Sequence, residues 1–184
     1  KKNYFGRHDK VLNMSRYRDD MRPGTRPQPI EQQIGEVKSN VRKSLLSDAP
    51  LQEKRDDGEH DIFVFQETPP LPSYLIAMAV GDFDIVDGGM AGRNNTPIRY
   101  IVPQGQGGHV AWAVQTTGAI LEWLEAYFDL AYPYKKLAVV SIPNLIGFSA
   151  MEHPGLITFD EQILTALPTT DTVSRRRRYV VVQA

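Results

Sequence analysis

Phe148-Ser149-Ala150-Met151-Glu152-His153-Pro154-Gly155-Leu156-Ile157-Thr158-Phe159 is an apolar, strand-like run that carries one carboxylate, breaks at Pro-Gly and then resumes. In an extended chain Phe148, Ala150 and Glu152 point to one side, and Ser149, Met151 and His153 to the other. Pro154 lacks the N–H that a sheet ladder needs, which predicts an edge position with backbone groups left over for another chain. An acid inside such a run is expected to be at least half-buried and to need a cation, and the neighbouring sequence supplies none. Its partner is a distant Arg or Lys, or else a ligand. A carboxylate at the end of an edge strand can hold a peptide's terminal ammonium by charge-assisted hydrogen bonds while the peptide pairs along the edge.

Upstream, the run Leu137 to Ile142 between Lys135-Lys136 and Pro143-Asn144 reads as a buried strand. Before it the period becomes helical. Val110, Val114, Thr117, Leu121, Leu124 and Phe128 line one face of a helix that starts at His109 and stops at Tyr132-Pro133-Tyr134. Trp112 and Trp123 fall near that core face, and Glu122 and Glu125 sit away from it. Strands are expected at His60–Gln66, after the Asp57-Gly58 turn, and at Tyr74–Val80, Phe83–Val86 and Pro97–Pro103. The glycine-rich run Asp87 to Thr96 reads as a loop between domains. Ile30, Ile34, Val37, Val41 and Leu45 predict an amphipathic helix over 30–46, and residues 1–29 an irregular basic arm. Downstream, Glu161–Leu167 predicts a short helix. A last helix runs through Arg175–Arg178 to Ala184, with Thr170, Asp171 or Ser174 as its cap and the arginines as a solvated face.

Composition narrows the function classes. With 184 residues, 41% hydrophobic and 23% charged, the chain holds one domain with a core or pieces of two. No apolar run reaches the length of a membrane span, and the start Lys1-Lys2-Asn3-Tyr4 has no signal-peptide core. Compartment and oligomeric state carry no sequence signal. The absence of cysteine removes disulfides, thiolate nucleophiles and thiolate metal sites. A net charge of −1 argues against nucleic acid as a partner, although residues 1–47 hold 11 Lys and Arg against 5 Asp and Glu. His8, His60, His109 and His153 show no metal-ligand spacing, Ser149 has no nucleophile elbow, and the glycine clusters lack phosphate-loop partners.

Three stretches, in order and at the right separations over residues 47–184, carry a family resemblance. Thr68-Pro69-Pro70-Leu71-Pro72-Ser73-Tyr74-Leu75-Ile76-Ala77-Met78-Ala79-Val80-Gly81-Asp82-Phe83 resembles the close of the N-terminal β-domain of zinc aminopeptidases of the aminopeptidase N type, gluzincins that include leukotriene epoxide hydrolases. Leu121 to Phe128 with Tyr132-Pro133-Tyr134-Lys135-Lys136-Leu137 is similar to the first catalytic-domain helix and the strand after it. Ser149-Ala150-Met151-Glu152-His153 with Pro154-Gly155-Leu156-Ile157-Thr158 resembles the Gly-Ala-Met-Glu-Asn exopeptidase motif and its continuation.

The resemblance implies an α+β chain: a leader over 1–46, the last strands of a β-rich N-terminal domain over 47–92, and the start of a thermolysin-like catalytic domain over 93–184. It implies that Glu152 binds the free α-amine of a peptide substrate and that the backbone of Ala150 and Met151 lies along that substrate. Ser149 replaces the motif glycine, which narrows the backbone approach, and His153 replaces the asparagine, which makes local polarity pH-sensitive. The family's zinc is held by a His-Glu-x-x-His helix and a later glutamate, which do not occur in these residues. Arg175–Ala184 looks like the run-in to that helix, so the expected piece carries the amine anchor without catalytic or metal residues and is inactive alone. The alternative is a non-catalytic peptide-binding or assembly module that uses the sheet edge.

Overall fold

The computed structural model describes residues 10–13, 36–39, 44–56, 58, 61–143, 145, 149–165 and 172–183. Its strands, in chain order, are β1 (Lys10–Asn13), β2 (Glu36–Ser39), β3 (Ser44–Ser47), β4 (Leu51–Asp56), β5 (Asp61–Phe65), β6 (Ala77–Gly81), β7 (Phe83–Ala91), β8 (Thr96–Pro103), β9 (Leu137–Ile142), β10 (Ala150–Met151) and β11 (Leu156–Asp160). Helix α1 (Ala111–Phe128) joins β8 to β9, and α2 (Glu161–Leu164) and α3 (Val173–Gln183) follow β11. The class is α+β.

Three sheets form. β6 lies between β1 and β3, and β5 between β2 and β4. The third sheet has the order β10-β11-β9-β8-β7, with β9 parallel to both β8 and β11 and the two outer pairs antiparallel. Alternation along its central strands sends side chains to two cores. Ile98, Tyr100, Val102, Leu137 and Val139 pack with Ala113, Leu121 and Tyr179 on the helix side. Ile101, Ala138, Val140 and Leu156 pack on the other face against Ala77 and Ala79 of β6. All six residues of β9 are buried, as its continuous apolar run requires.

Several expectations are corrected. Within the helix expected over 30–46, residues 36–39 and 44–46 belong to strands β2 and β3 instead, because Leu45 pairs opposite Val80 and buries with Phe63 and Phe65, and the rest of that stretch lies outside the described residues. Within the expected irregular arm, Lys10–Asn13 pairs with β6, and the rest of that arm lies outside the described residues. The expected loop over 87–96 is largely strand. β7 runs on to Ala91 through a bulge between Asp87 and Met90, where the Asp87 carboxylate accepts from the Gly89 N–H at 2.8 Å. Residues 74 and 75 are in a 3-10 turn, so that strand starts at Ala77.

In α1 the buried stripe is Ala113, Thr117, Leu121 and Glu125, a strict spacing of four that rotates the expected face. Trp123 is therefore 58% exposed and Phe128 67% exposed; with Tyr127 they make an aromatic stack on the outer face instead of joining the core. Trp112 is half-buried beneath the Arg176 guanidinium, 4.6 Å from the ring centre. Glu125, expected to face solvent, is buried and accepts the backbone N–H groups of Arg93 and Tyr132, each at 2.7 Å. Those two donors hold its carboxyl below the usual range. This carboxylate ties the β7–β8 turn to the chain leaving α1. The last helix is present, and its first turn is capped by Thr172, whose hydroxyl accepts from the Arg175 N–H at 3.3 Å. Of its expected caps, Thr170 and Asp171 lie outside the described residues.

Candidate functional site

Strand β10 forms one edge of the five-stranded sheet, as Pro154 led us to expect. Ala150 pairs with Phe159 and Met151 with Thr158, and the Ser149 carbonyl accepts from the Asp160 N–H at 2.9 Å. On its other side β10 pairs with no described strand. Ala150 packs against the helix-side core, Met151 is half-buried, and Ser149 is exposed. Phe148 lies outside the described residues.

Pairing stops at Met151, and the chain then turns at His153-Pro154-Gly155-Leu156. The Leu156 N–H donates to the His153 carbonyl at 3.1 Å, with Pro at the second position and Gly at the third, where φ is +72°. That is the residue order of a type II turn. The early stop corrects the expectation of a buried acid: Glu152 is exposed and makes no hydrogen bond or ion pair with the described residues. It needs no protein cation, since water solvates it.

His153 is fully buried, whereas Ser149, expected on the same side, is exposed, because the chain leaves the strand after Met151 and the alternation ends there. Its Nδ1 lies 3.1 Å from the Leu75 carbonyl oxygen, and Nε2 is buried without a partner. Burial pushes the ring below the ordinary imidazole range against the pull of Leu75 and Glu152, so it is neutral at pH 7. Burial moves the expected pH sensitivity of this position to below the ordinary imidazole range.

Gly155 is held from three directions. Its carbonyl accepts from Lys136 Nζ at 2.6 Å and from the Ala138 N–H at 3.0 Å, and its N–H donates to the Tyr132 hydroxyl at 3.2 Å. A Cβ at this position would collide with the Asp48 carbonyl oxygen. The Asp48 side chain accepts from the Ala77 N–H at 3.0 Å, two residues after the Leu75 carbonyl that meets His153. Burial pushes Asp48 up to about 7 and Lys136 down to about 8, although each charge favours the other. Tyr132 is raised to about 12, chiefly by burial. Asp48 comes from the bend after β3, and Tyr132 and Lys136 from the connection between α1 and β9; they meet Gly155 only in the folded chain, which is why sequence reading did not bring them together.

The raised Asp48 value predicts a pH dependence of stability. A carboxyl that is more basic folded than unfolded contributes stability that is complete below about pH 4 and is lost as pH rises through the folded value near 7. Asp48→Asn removes this dependence. Thermal unfolding of the full-length protein should therefore shift in favour of the variant between about pH 5 and pH 8. A constant difference across that range would show that Asp48 does not titrate there.

The sequence comparisons coincide with this geometry. The Peptidase family M1 domain matches residues 112–184, from the start of α1 through the Glu152 turn to the last helix. "Probable aminopeptidase 1" of Sulfurisphaera tokodaii is 30% identical over 131 residues, 71% of this chain and 16% of that protein. The chain belongs to peptidase family M1. Aminopeptidase N of Rattus norvegicus is 30% identical over 71% of the chain and 13% of its own length. Glutamyl aminopeptidase of Sus scrofa is 31% identical over 76% of the chain and 14% of its own length. The chain thus spans about one-sixth or less of these M1 relatives.

The M1 family implies zinc. Among the described residues no three His, Asp or Glu side chains gather where they could hold a metal ion. Those residues do not make a zinc site. Among them, too, no helix is long and apolar enough to cross a membrane.

Proposed function

We propose that this chain supplies the substrate α-amine anchor of a zinc-dependent aminopeptidase that removes N-terminal residues from peptides. Glu152 is the anchor, accepting the ammonium of the free N-terminus, and the backbone of Ser149, Ala150 and Met151 runs along the substrate with His153 closing the strand. The observation that carries this reading is an exposed carboxylate, with no hydrogen bond or ion pair to the described residues, at the end of an unpaired sheet edge and next to a rigid turn. An ammonium placed there meets an acceptor that competes with no protein cation. On this reading residues 47–92 are the last strands of the N-terminal β-domain and residues 93–184 the start of the catalytic domain. The 184 residues alone turn over no substrate, because the anchor acts with a zinc site that the described residues do not build. A partner-binding role for the same edge has little backbone to work with, since β10 has two residues.

In the full-length protein Glu152→Ala is expected to lower kcat/KM for a free-amine aminoacyl reporter by about ten- to a hundredfold, the loss of one charge-assisted hydrogen bond. Cleavage of an N-acetylated analogue should stay at its low basal level in both proteins. Wild-type kcat/KM in the variant, or turnover of the reporter by the 184-residue chain with added zinc, would overturn the proposal.

A further inference from the structure

Glu152 is exposed, yet its neighbours in sequence are among the most tightly held residues described. The turn that follows it touches three elements. His153 meets the segment before β6 through the Leu75 carbonyl. The Gly155 carbonyl meets the start of β9 through Lys136 Nζ and the Ala138 N–H. The Gly155 N–H meets the chain leaving α1 through the Tyr132 hydroxyl, and Tyr132 is itself fixed by its N–H on the buried Glu125. On the fourth side the Asp48 backbone closes over the Gly155 Cα, so there is no room for the turn to shift.

We propose that Tyr132 and Lys136 are positioning residues for Glu152: by holding the N–H and the carbonyl of Gly155 they fix the His153–Leu156 turn, and with it the point from which the carboxylate meets a substrate amine. The inference rests on the amine-anchor reading of Glu152. A binding group contributes most when its geometry is set before the ligand arrives, and displacement of about 1 Å costs up to a hundredfold in a positioned reaction. An exposed side chain such as Glu152 gains that order only from its backbone. The hydroxyl and the ammonium act on that backbone from opposite ends of one peptide unit pair, from elements that are 19 and 23 residues away.

The test is a double-mutant cycle in the full-length protein, read as kcat and KM on a free-amine aminoacyl reporter. Tyr132→Phe and Lys136→Met are each expected to lower kcat/KM by about tenfold, with the larger part in KM, and to have less than about a twofold further effect in a Glu152→Ala background. A purely structural role would cost the same factor in both backgrounds, and that result overturns the positioning inference while leaving the anchor reading intact. If Glu152→Ala alone leaves kcat/KM at the wild-type value, the anchor reading fails and this inference fails with it. Tyr132→Phe removes one hydroxyl and keeps the ring, so it decides the matter even if Lys136→Met does not fold.

Discussion

Gly155→Ala is expected to cost about 3–5 kcal/mol of stability, the sum of a left-handed backbone strain and a collision that the surroundings cannot relieve. At φ +72° any L side chain is disfavoured. The added Cβ would also strike the Asp48 carbonyl oxygen and approach the Lys136 carbonyl oxygen to 3.3 Å. Both are backbone atoms, one in the bend that follows β3 and the other directly before β9, so neither can rotate away as a side-chain tip would. Gly89 provides the control. It has a similar φ of +78° and open space around its Cβ position, so Gly89→Ala carries the backbone cost alone, about 1–2 kcal/mol. Denaturant unfolding of the two variants separates the collision from the strain. Equal losses would mean that the turn is not pressed against the Asp48 backbone.

Tyr179→Ala is the second large effect, with an expected loss of about 3–5 kcal/mol. Tyr179 is 1% exposed and is the buried residue of α3; its ring sits 5.4 Å from that of Phe159, and its hydroxyl lies 2.7 Å from Thr117 Oγ1 on α1. One side chain therefore joins the last helix both to β11 and to α1. Truncation leaves a cavity and strips the Thr117 hydroxyl of a partner. Tyr179→Phe keeps the ring and should cost only about 1 kcal/mol. The measurement is thermal or denaturant unfolding of both variants, and similar losses from the two would show that the hydroxyl, not the ring, docks the helix.

Legibility of the fold followed how local each cause was. Leu137–Ile142, Leu156–Phe159 and the helix after His109 were readable because period and length alone decide them. Residues 36–39 and 44–46 are strand although Val37 and Leu45 fit a helical spacing with Ile30, Ile34 and Val41, because the pairing of Leu45 with Val80 is a long-range fact that no window contains. The run Asp87 to Thr96 reads as a loop because a bulge and a loop have the same composition. At the site, the edge position was legible in Pro154. The exposure of Glu152 was not, since it depends on β10 ending at Met151. The hold on Gly155 was invisible for a plainer reason: Asp48, Tyr132 and Lys136 converge on it from positions 107, 23 and 19 residues upstream.

The packing of β6 limits where this chain can be cut and recombined. Ala77 and Ala79 are fully buried against Ile101, Ala138, Val140 and Leu156, so one face of the five-stranded sheet has its cover in a strand that precedes it in sequence. A catalytic piece begun after Gly81 would open that face to water and lose the Leu75 carbonyl that meets His153. Chimeras between relatives should therefore keep Asp48 through Leu156 from one parent, because the seam between the two halves is a shared core and not a linker.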